Sequence, residues 1–232
     1  MKVYGKNVLN EVLSNPQKIK KLYMTSNMKD ERIMQSIRKN KIQFESVSRE
    51  TMDRMVKGNH QGIMAIVDKS DMDNAKVDLS QDFYLILNDV QDPGNIGTIV
   101  RTADSLNIKQ IIVSNKTADV YNPKVVRSTM GAIFRVKVIM VDDLVKEIKN
   151  LQNNGIKVYS TDLNTDESIY TVNYEKSAVV IGNEANGVSK EVIEASDGSI
   201  KIPMIGKTES LNAAVATSVL LYEVYRDKLK NK

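Results

Sequence analysis

Residues 83–106 read FYLILNDVQDPGNIGTIVRTADSL, and this stretch decides the fold because it joins an apolar run, a polar turn and an amphipathic segment. The run 83–87 is short, apolar and bounded by turn residues, which is typical of a strand buried on both faces of a parallel sheet. After the turn, apolar residues recur at helical spacing: Ile96, Ile99, Val100, Ala103 and Leu106. The stretch predicts a strand, a loop and a helix, with the loop at the strand's carboxyl end, where open α/β sheets bind ligands.

The predicted helix carries one arginine. Arg101 lies off the apolar stripe, one turn after Gly97, whose missing side chain is expected to leave room for a ligand or a backbone beside the guanidinium. This placement aims a positive charge at the carboxyl end of the strand. An ordinary strand, turn and helix with a surface arginine has the same pattern, so this segment alone leaves both interpretations open.

Two later segments have a similar design. Residues 179–187 read VVIGNEANG, an apolar strand entering a loop with one carboxylate between two glycines, and residues 202–212 read IPMIGKTESLN, a strand end, a loop and a helix start. Each is weak alone, since Gly-x-Glu-x-x-Gly is common and Ser-Leu-Asn also suits a plain helix cap. Taken in order, Asn-x-Gly-x-x-x-Arg, Gly-x-Glu-x-x-Gly and Pro-Met-x-Gly-x-x-x-Ser-Leu-Asn resemble the three motifs of the SpoU, or TrmH-like, family of RNA ribose 2'-O-methyltransferases.

The second part of the chain alternates strands with helices. Apolar strands are predicted at 83–87, 110–113, 136–141, 156–160, 178–182 and 199–203, and helices near 95–107, 123–130, 142–154, 188–195 and 210–229. This alternation predicts an α/β fold with a mostly parallel sheet. The resemblance adds a trefoil knot of the SPOUT type, in which the last helix threads through an earlier loop. Residues 81–232 are therefore predicted to form a knotted catalytic domain.

The first part of the chain predicts a small α/β domain over residues 1–67. Its predicted elements are helices at 7–14 and 30–39 and strands at 19–24, 42–47 and 62–67. This segment resembles the L30e-like substrate-binding domain that precedes several SpoU catalytic domains. The polar stretch that follows it, within residues 68–80, predicts a linker. The single histidine, His60, lies in a turn and is interpreted as a turn or hydrogen-bonding residue rather than a metal ligand.

Positive charge is concentrated in the first third of the chain. Residues 1–69 carry 14 Lys and Arg against 7 Asp and Glu, a net charge of +7, and the remainder carries 19 against 22, a net charge of −3. This asymmetry is the one expected if the first segment holds a polyanion and the rest handles a small ligand. A lysine-rich solvated surface is the alternative interpretation.

The composition excludes several kinds of site. There is no cysteine, which rules out disulfides and thiolate metal sites, and one histidine leaves little material for a metal cluster or a Ser-His-Asp triad. No Gly-x-Gly-x-x-Gly follows a strand and no P-loop is present, so a Rossmann dinucleotide site is unsupported. The N-terminus lacks an apolar signal region and no apolar run approaches 18 residues. We expect a cytoplasmic protein that binds neither a membrane nor a metal.

The resemblance implies the site residues. Carried over position by position, the catalytic set is Asn95, Arg101, Glu184, Ser210 and Asn212. Asn95 is placed to cap its helix and to present backbone N–H groups to an anion, and Glu184 to orient loop groups by accepting backbone N–H bonds. Ser210 and Asn212 are expected to begin the last helix, with Asn212 inside it, where asparagine has poor propensity.

The resemblance also implies the cofactor, S-adenosylmethionine. Its adenine and ribose are expected among the loops at Gly182, Ile202 and Leu211, held largely by main-chain groups. Core packing is the alternative role for Ile202 and Leu211.

Arg101 is the expected catalytic centre. Proposals for the family make the arginine a general base toward the 2'-hydroxyl, but lowering a guanidinium pKa from above about 12 to near 7 costs on the order of 7 kcal/mol. Binding the neighbouring phosphate and stabilising alkoxide charge is less costly. The sequence leaves both roles open.

The resemblance is nearest to the bacterial branch that methylates a guanosine of 23S ribosomal RNA. A tRNA 2'-O-methyltransferase is the alternative in the same class, although the minimal tRNA enzymes use short basic tails in place of a front domain. A non-catalytic RNA-binding or ribosome-assembly factor is the alternative from another class, and the intact motifs disfavour it. The resemblance further implies a homodimer through the catalytic domain, and the apolar stripe Leu211, Val215, Val219, Tyr222 and Leu229 on the last helix fits that expectation.

Overall fold

A computed structural model describes residues 1–70 and 75–230, and it contains two sheets. The first sheet belongs to an N-terminal unit, residues 1–67. Its elements are β1 (Lys2–Tyr4), α1 (Lys6–Leu13), a 3-10 helix (Pro16–Lys18), β2 (Ile19–Thr25), α2 (Glu31–Lys39), β3 (Glu45–Val47), α3 (Arg49–Met55) and β4 (Ile63–Val67). The strand order is β1-β4-β2-β3, with β2 and β3 parallel and the other pairs antiparallel.

Three details of this unit differ from the sequence-based expectation. The short elements β1 and α3 were not predicted. The strand expected at 42–47 begins only at Glu45, because the chain closes α2 with a left-handed residue at Lys41 (φ 51°) and a hydrogen bond from Ile42 N to Ile37 O. His60 is buried and hydrogen-bonded, as interpreted: its Nδ1 accepts from Gly62 N at 2.9 Å and its Nε2 lies 2.8 Å from Asp53 Oδ1.

The second sheet belongs to a C-terminal unit, residues 81–230. Its elements are β5 (Phe83–Leu87), α4 (Pro93–Ser105), β6 (Gln110–Ser114), α5 (Pro123–Ser128), a 3-10 helix (Ala132–Phe134), β7 (Lys137–Val141), α6 (Leu144–Asn153), β8 (Lys157–Thr161), β9 (Ser177–Ile181), α7 (Lys190–Ala195), β10 (Gly198–Ile200), α8 (Ala213–Val224) and α9 (Arg226–Lys230). The predicted α/β alternation is confirmed.

The large sheet is parallel throughout, in the order β10-β8-β9-β5-β6-β7. From β5 the chain moves outward to β6 and β7, then crosses to β8 and returns as β9 beside β5. The strand order therefore switches direction between β5 and β9, where ligands bind in open α/β sheets. All five residues of each of these two strands are buried.

The two faces of the central strands pack into two different hydrophobic clusters. Leu85 and Leu87 point to a cluster that includes the buried residues of α4 and the N-terminal unit, whereas Tyr84 and Ile86 point to a second cluster under α6 and α7. The expected stripe on α4, from Ile96 to Leu106, is buried as predicted. Apolar packing is thus continuous from the small sheet to one face of the large sheet.

Polar contacts also join the two units. Arg135 contacts Glu11 of α1 at 2.5 Å and forms a two-pronged ion pair with Asp104 of α4, the shorter contact being 2.7 Å. The predicted linker, residues 68–80, includes 71–74, which lie outside the described residues. Its two ends are anchored, since Asp68 N donates to Lys18 O and Asp78 N donates to Gln110 Oε1.

The last helix is shorter than predicted. The expected helix 210–229 is divided into α8, which begins at Ala213, and α9, which begins at Arg226. Between them, Tyr225 packs edge-on against Phe83 with ring centroids 5.9 Å apart. Within residues 1–70 and 75–230, none of the helices has the length and apolar character needed to cross a bilayer.

Candidate active site

Three loops meet at the carboxyl edge of the large sheet: the loops after β5, after β9 and after β10. Glu184, in the loop after β9, connects to the loop after β5. Its Oε2 accepts from Gln91 N at 3.1 Å, and its Oε1 accepts from Asp92 N at 3.1 Å and from Asn95 Nδ2 at 2.9 Å. The carboxylate therefore orients the first loop by accepting N–H groups that lie about 90 positions away in the chain.

Asn95 extends this connection to the third loop. Its Oδ1 accepts from Asn212 Nδ2 at 2.9 Å, and Asn212 Oδ1 accepts from the backbone N–H groups of Ala214 and Val215. One hydrogen-bond chain thus runs from Glu184 through Asn95 to Asn212. Asn95 is buried, at 8% exposure, so its amide depends on these two partners.

Two expectations about helix caps are wrong. Asp92, not Asn95, caps α4, because Asp92 Oδ1 accepts from Asn95 N at 2.8 Å. Asn212 does not lie inside the last helix but is the N-cap of α8, which removes the argument from its poor helix propensity. Asn95 and Asn212 instead share a hydrogen bond between helices. Ser210 caps nothing and lies exposed in the third loop.

Hydrogen bonds set the charge state of Glu184. Burial alone raises the pKa of this carboxyl, but the hydrogen bonds from Asn95, Gln91 and Asp92 together lower its pKa below the ordinary value. Glu184 is consequently an anion at neutral pH, which suits an orienting role and does not suit a proton donor.

A cleft of about 380 Å³ lies between the loops after β8, β9 and β10, within the usual range for small-molecule sites. The expected cofactor-binding residues Gly182, Ile202 and Leu211 all line it, as do Glu184 and Ser210. Asn95, Arg101 and Asn212 are not among its lining residues. Five of the predicted site residues therefore line the cleft, and the other three lie outside its lining.

One wall of this cleft was not predicted from the sequence. Residues 161–164, which follow β8, line it with Asp162, Leu163 and Asn164. The rule that sites lie at the carboxyl ends of parallel strands would have found them, because β8 neighbours β9 in the sheet. Met204 and Glu209 of the third loop also line the cleft.

Position 182 requires glycine for a steric reason. A Cβ at this position would lie 2.1 Å from Gly187 C and 2.2 Å from Val188 N, because the loop after β9 folds back through paired hydrogen bonds between Asn183 and Gly187. Only glycine permits this close approach of two backbone segments. The tight loop then leaves its outer side open to the cleft.

Arg101 lies on the exposed face of α4, off the buried stripe, as predicted. Of the two occupants expected beside Gly97, a ligand or a backbone, the structure shows the backbone: a Cβ there would lie 1.7 Å from Ser128 Oγ and 3.1 Å from Ser128 C, so Gly97 allows α5 to pack closely on α4. Within the described part of the chain, no hydrogen bond or ion pair holds the Arg101 guanidinium. Its donors are therefore available to a ligand.

No group of three or more His, Asp or Glu side chains within residues 1–70 and 75–230 is arranged to hold a metal ion. Instead, the site combines a cleft with polar and apolar lining, an ordered anionic carboxylate and, on α4, the exposed guanidinium of Arg101. This combination suits a polar small molecule in the cleft and an anionic second ligand beside Arg101.

Comparisons with known proteins give matches to both units of the chain. The SpoU rRNA Methylase family model matches residues 82–222, and the model described as RNA 2'-O ribose methyltransferase substrate binding matches residues 2–72. A protein of Bacillus subtilis placed by name in the TrmH family of tRNA/rRNA methyltransferases is 35% identical, over 97% of this chain and 95% of its own.

Two solved structures show which parts correspond. The AdoMet-bound rRNA methyltransferase from Sinorhizobium meliloti is 25% identical with a TM-score of 0.79, covering 97% of this chain and 87% of its own. The TrmH/SpoU tRNA modifying enzyme of A. aeolicus is 29% identical with a TM-score of 0.58, and the match covers only 66% of this chain and 78% of its own.

Proposed function

This chain belongs to the SpoU rRNA methylase family and is an S-adenosylmethionine-dependent RNA 2'-O-ribose methyltransferase, and we propose that its substrate is a guanosine of 23S ribosomal RNA. The observation that carries the choice of ribosomal RNA is the extent of the structural matches. The rRNA methyltransferase corresponds to nearly the whole chain, front unit included, whereas the tRNA modifying enzyme corresponds to two thirds of it.

We propose that the cleft holds S-adenosylmethionine, and the residues present fit this cofactor. Apolar side chains at Leu163, Ile202 and Leu211 suit a flat base, and the polar groups of Asp162 and Glu209 suit ribose hydroxyls and an ammonium group. When bound, the cofactor supplies an electrophilic methyl group on its sulfonium. The open side of the Gly182 loop lets backbone groups approach the ligand.

Arg101 is proposed to bind the phosphate beside the target ribose and to stabilise negative charge on the 2'-oxygen as its proton passes to water. An exposed guanidinium without internal partners has its donors available for this task. The hydrogen-bond chain of Glu184, Asn95 and Asn212 fixes α4 and α8 relative to the cleft. These three are therefore positioning residues, and Ser210, which lines the cleft, is proposed to contact a ligand directly.

We propose that residues 1–67, 68–80 and 81–232 act as RNA-binding domain, linker and catalytic domain. The net charge of +7 on the first third supports this division. A chain lacking the first 69 residues should keep its affinity for S-adenosylmethionine and lose affinity for RNA. Equal RNA affinity with an equal salt dependence would contradict the division.

A homodimer is proposed on the exposed face of α8. Val215, Val219 and Tyr222 recur at helical spacing and are 50%, 37% and 53% exposed, which is unusual for apolar residues on one face of a helix. A second copy of the chain would cover them. Tyr222→Glu should yield a monomer by light scattering, while Tyr170→Glu, an equally exposed aromatic in a loop, should not. A wild-type monomer at micromolar concentration would refute the dimer.

The decisive experiment compares Arg101 variants. Arg101→Ala should bind S-adenosylmethionine normally and lose at least about 100-fold in methyl transfer, while Lys149→Ala, a surface cation on α6, should keep wild-type turnover. Arg101→Lys should recover part of the rate if a point charge suffices and little if the planar fork is needed. An Arg101→Ala enzyme with near wild-type turnover would refute the assignment.

The substrate is identified separately, by mapping ribose methylation in ribosomal and transfer RNA from cells with and without this protein. A methyl group that disappears from a 23S guanosine supports the proposal. One that disappears from tRNA instead favours the tRNA enzyme, and full retention of methylation favours the non-catalytic assembly factor.

A further inference from the structure

A second cleft, of about 440 Å³, lies where the N-terminal unit meets α5. We call it the junction cleft. It is lined by residues from both units: Tyr4, Gly5, Asn7, Val8, Asn59, Gln61, Lys124, Arg127, Ser128 and Met130. A smaller cavity of about 240 Å³ in the N-terminal unit shares Asn59 and Gln61 with it, so the two spaces adjoin across the loop 58–62.

The charged side chains of the junction cleft are cations. Lys124 and Arg127 are exposed on α5, and neither forms an ion pair with a carboxylate in the described part of the chain. The Arg127 guanidinium lies 5.6 Å from the ring centroid of Tyr4, which is itself buried. One face of Arg127 is thus held against an aromatic ring, and its other face and N–H edges are available to a ligand.

The same cleft offers amide groups for hydrogen bonding. Gln61 Oε1 accepts from Lys6 N at 2.9 Å, which fixes this side chain and leaves its amide NH₂ available as a donor. The Asn59 side chain has no hydrogen-bond partner within residues 1–70 and 75–230. Cations beside unsatisfied amides are the groups that recognise phosphates and base edges in nucleic acids.

The junction cleft leads to the catalytic helix. Ser128, one of its lining residues, packs directly on Gly97 of α4. Arg101 lies four residues after Gly97 and therefore projects from the same face of α4, one turn further along. A strand leaving the cleft past Ser128 would therefore run along α4, toward the face that carries Arg101.

We propose that the junction cleft holds a single-stranded segment of the RNA substrate next to the methylated nucleotide, with its phosphates on Lys124 and Arg127 and a base edge against Asn59 and Gln61. The inference rests on the proposed function, because it assumes that RNA reaches Arg101. It assigns RNA contacts to α5 of the C-terminal unit as well as to the N-terminal unit. The fixed contact between the units then sets the distance between the bound strand and the reacting ribose.

The test measures binding of radiolabelled, deproteinised 23S ribosomal RNA by the full-length protein over a series of salt concentrations. Lys124→Gln and Arg127→Gln should each weaken binding about tenfold at low salt and reduce the slope of log K against log salt by about 0.7 to 0.9. Arg127→Lys should restore the slope but not the full affinity, because it keeps the charge and loses the planar face. Lys149→Gln removes one cation far from the cleft and should remain within twofold of the wild type.

Affinity for S-adenosylmethionine and thermal unfolding, measured on the same variants, separate this inference from a folding defect. Within residues 1–70 and 75–230 the Lys124 side chain forms no hydrogen bond or ion pair, so Lys124→Gln keeps the test valid if Arg127→Gln is unstable. RNA affinity and slope unchanged in both variants would overturn the inference, even with normal methyl transfer by the wild type. Weakened RNA binding in the variants, with no methyl transfer by the wild type, would instead support the cleft and overturn the proposed function.

Discussion

Replacing Glu184 with glutamine is expected to loosen the three-loop site while leaving the rest of the fold intact. The carboxylate accepts three hydrogen bonds with its two oxygens, from Gln91 N, Asp92 N and Asn95 Nδ2. A glutamine keeps one side-chain oxygen, which can still accept hydrogen bonds from Asp92 N and Asn95 Nδ2. Its NH₂ group then faces the N–H of Gln91, donor against donor, and that hydrogen bond is lost.

The magnitude follows from this count. A hydrogen bond to a charged group contributes about 1.5–3 kcal/mol and a neutral one about 0.5–1.5 kcal/mol. Losing one bond and the charge on two others would cost about 3.5–6 kcal/mol in a dry site. Because Glu184 is exposed, water replaces much of the loss. We expect Glu184→Gln to lower the free energy of unfolding by about 1–2 kcal/mol at pH 7.

Urea denaturation of the two proteins between pH 3 and pH 7 measures this difference. The pKa of Glu184 is lowered in the folded state, so its stabilisation is complete above the unfolded pKa of about 4.3 and is lost as the pH falls through the folded value. The gap between wild type and Glu184→Gln should therefore close in acid. The control Glu194→Gln, in an exposed pair with Lys190, should change stability by less than about 0.5 kcal/mol. Equal stability of Glu184→Gln and wild type at all pH values would refute the reasoning.

Three further outcomes follow from other contacts. Gly182→Ala should lower stability by about 1–3 kcal/mol and weaken S-adenosylmethionine binding in calorimetry, whereas Gly206→Ala, with no atom within 4 Å of its added Cβ, should do neither. Asn212→Ala should cost about 1 kcal/mol through loss of the α8 cap, and Asn212→Ser, which keeps a capping oxygen, should recover about half in the same denaturation assay. Arg135→Gln should cost at most about 1 kcal/mol, since its carboxylate partners are part-exposed, yet speed proteolysis between the units; Arg38→Gln, whose ion pair lies within α2, should not.

The elements that periodicity predicts best are the long ones with one buried face. The stripe from Ile96 to Leu106 fixed both the existence and the orientation of α4, and this placed Arg101 outside the core. The apolar runs predicted at 83–87 and 178–182 were found for the same reason, since both faces of a central parallel strand are buried, and the second strand is observed one residue earlier, at Ser177–Ile181. Short elements such as β1 and α3 span too few residues to show a period.

Hydrophobic periodicity could not predict contacts between segments that are distant in the chain. Periodicity gives the face on which Gly97 lies, but not that Ser128 fills the space above it. It places Glu184 in a loop, but not opposite Asn95, and it cannot distinguish a residue inside the last helix from the cap that Asn212 provides. The family resemblance grouped Glu184, Asn95 and Asn212, and the structure shows which hydrogen bonds connect them.

The hydrogen-bond chain from Glu184 to Asn212 has a consequence for the order in which the protein matures. Its bonds connect residues 89 and 117 positions apart, and closing loops of that length is slow compared with forming a local helix. During synthesis the N-terminal unit is complete long before residue 212 leaves the ribosome. The nascent chain therefore exposes its basic N-terminal unit while the cleft proposed for S-adenosylmethionine is still unformed, and under the proposed division of roles RNA binding precedes catalytic competence in the life of each molecule.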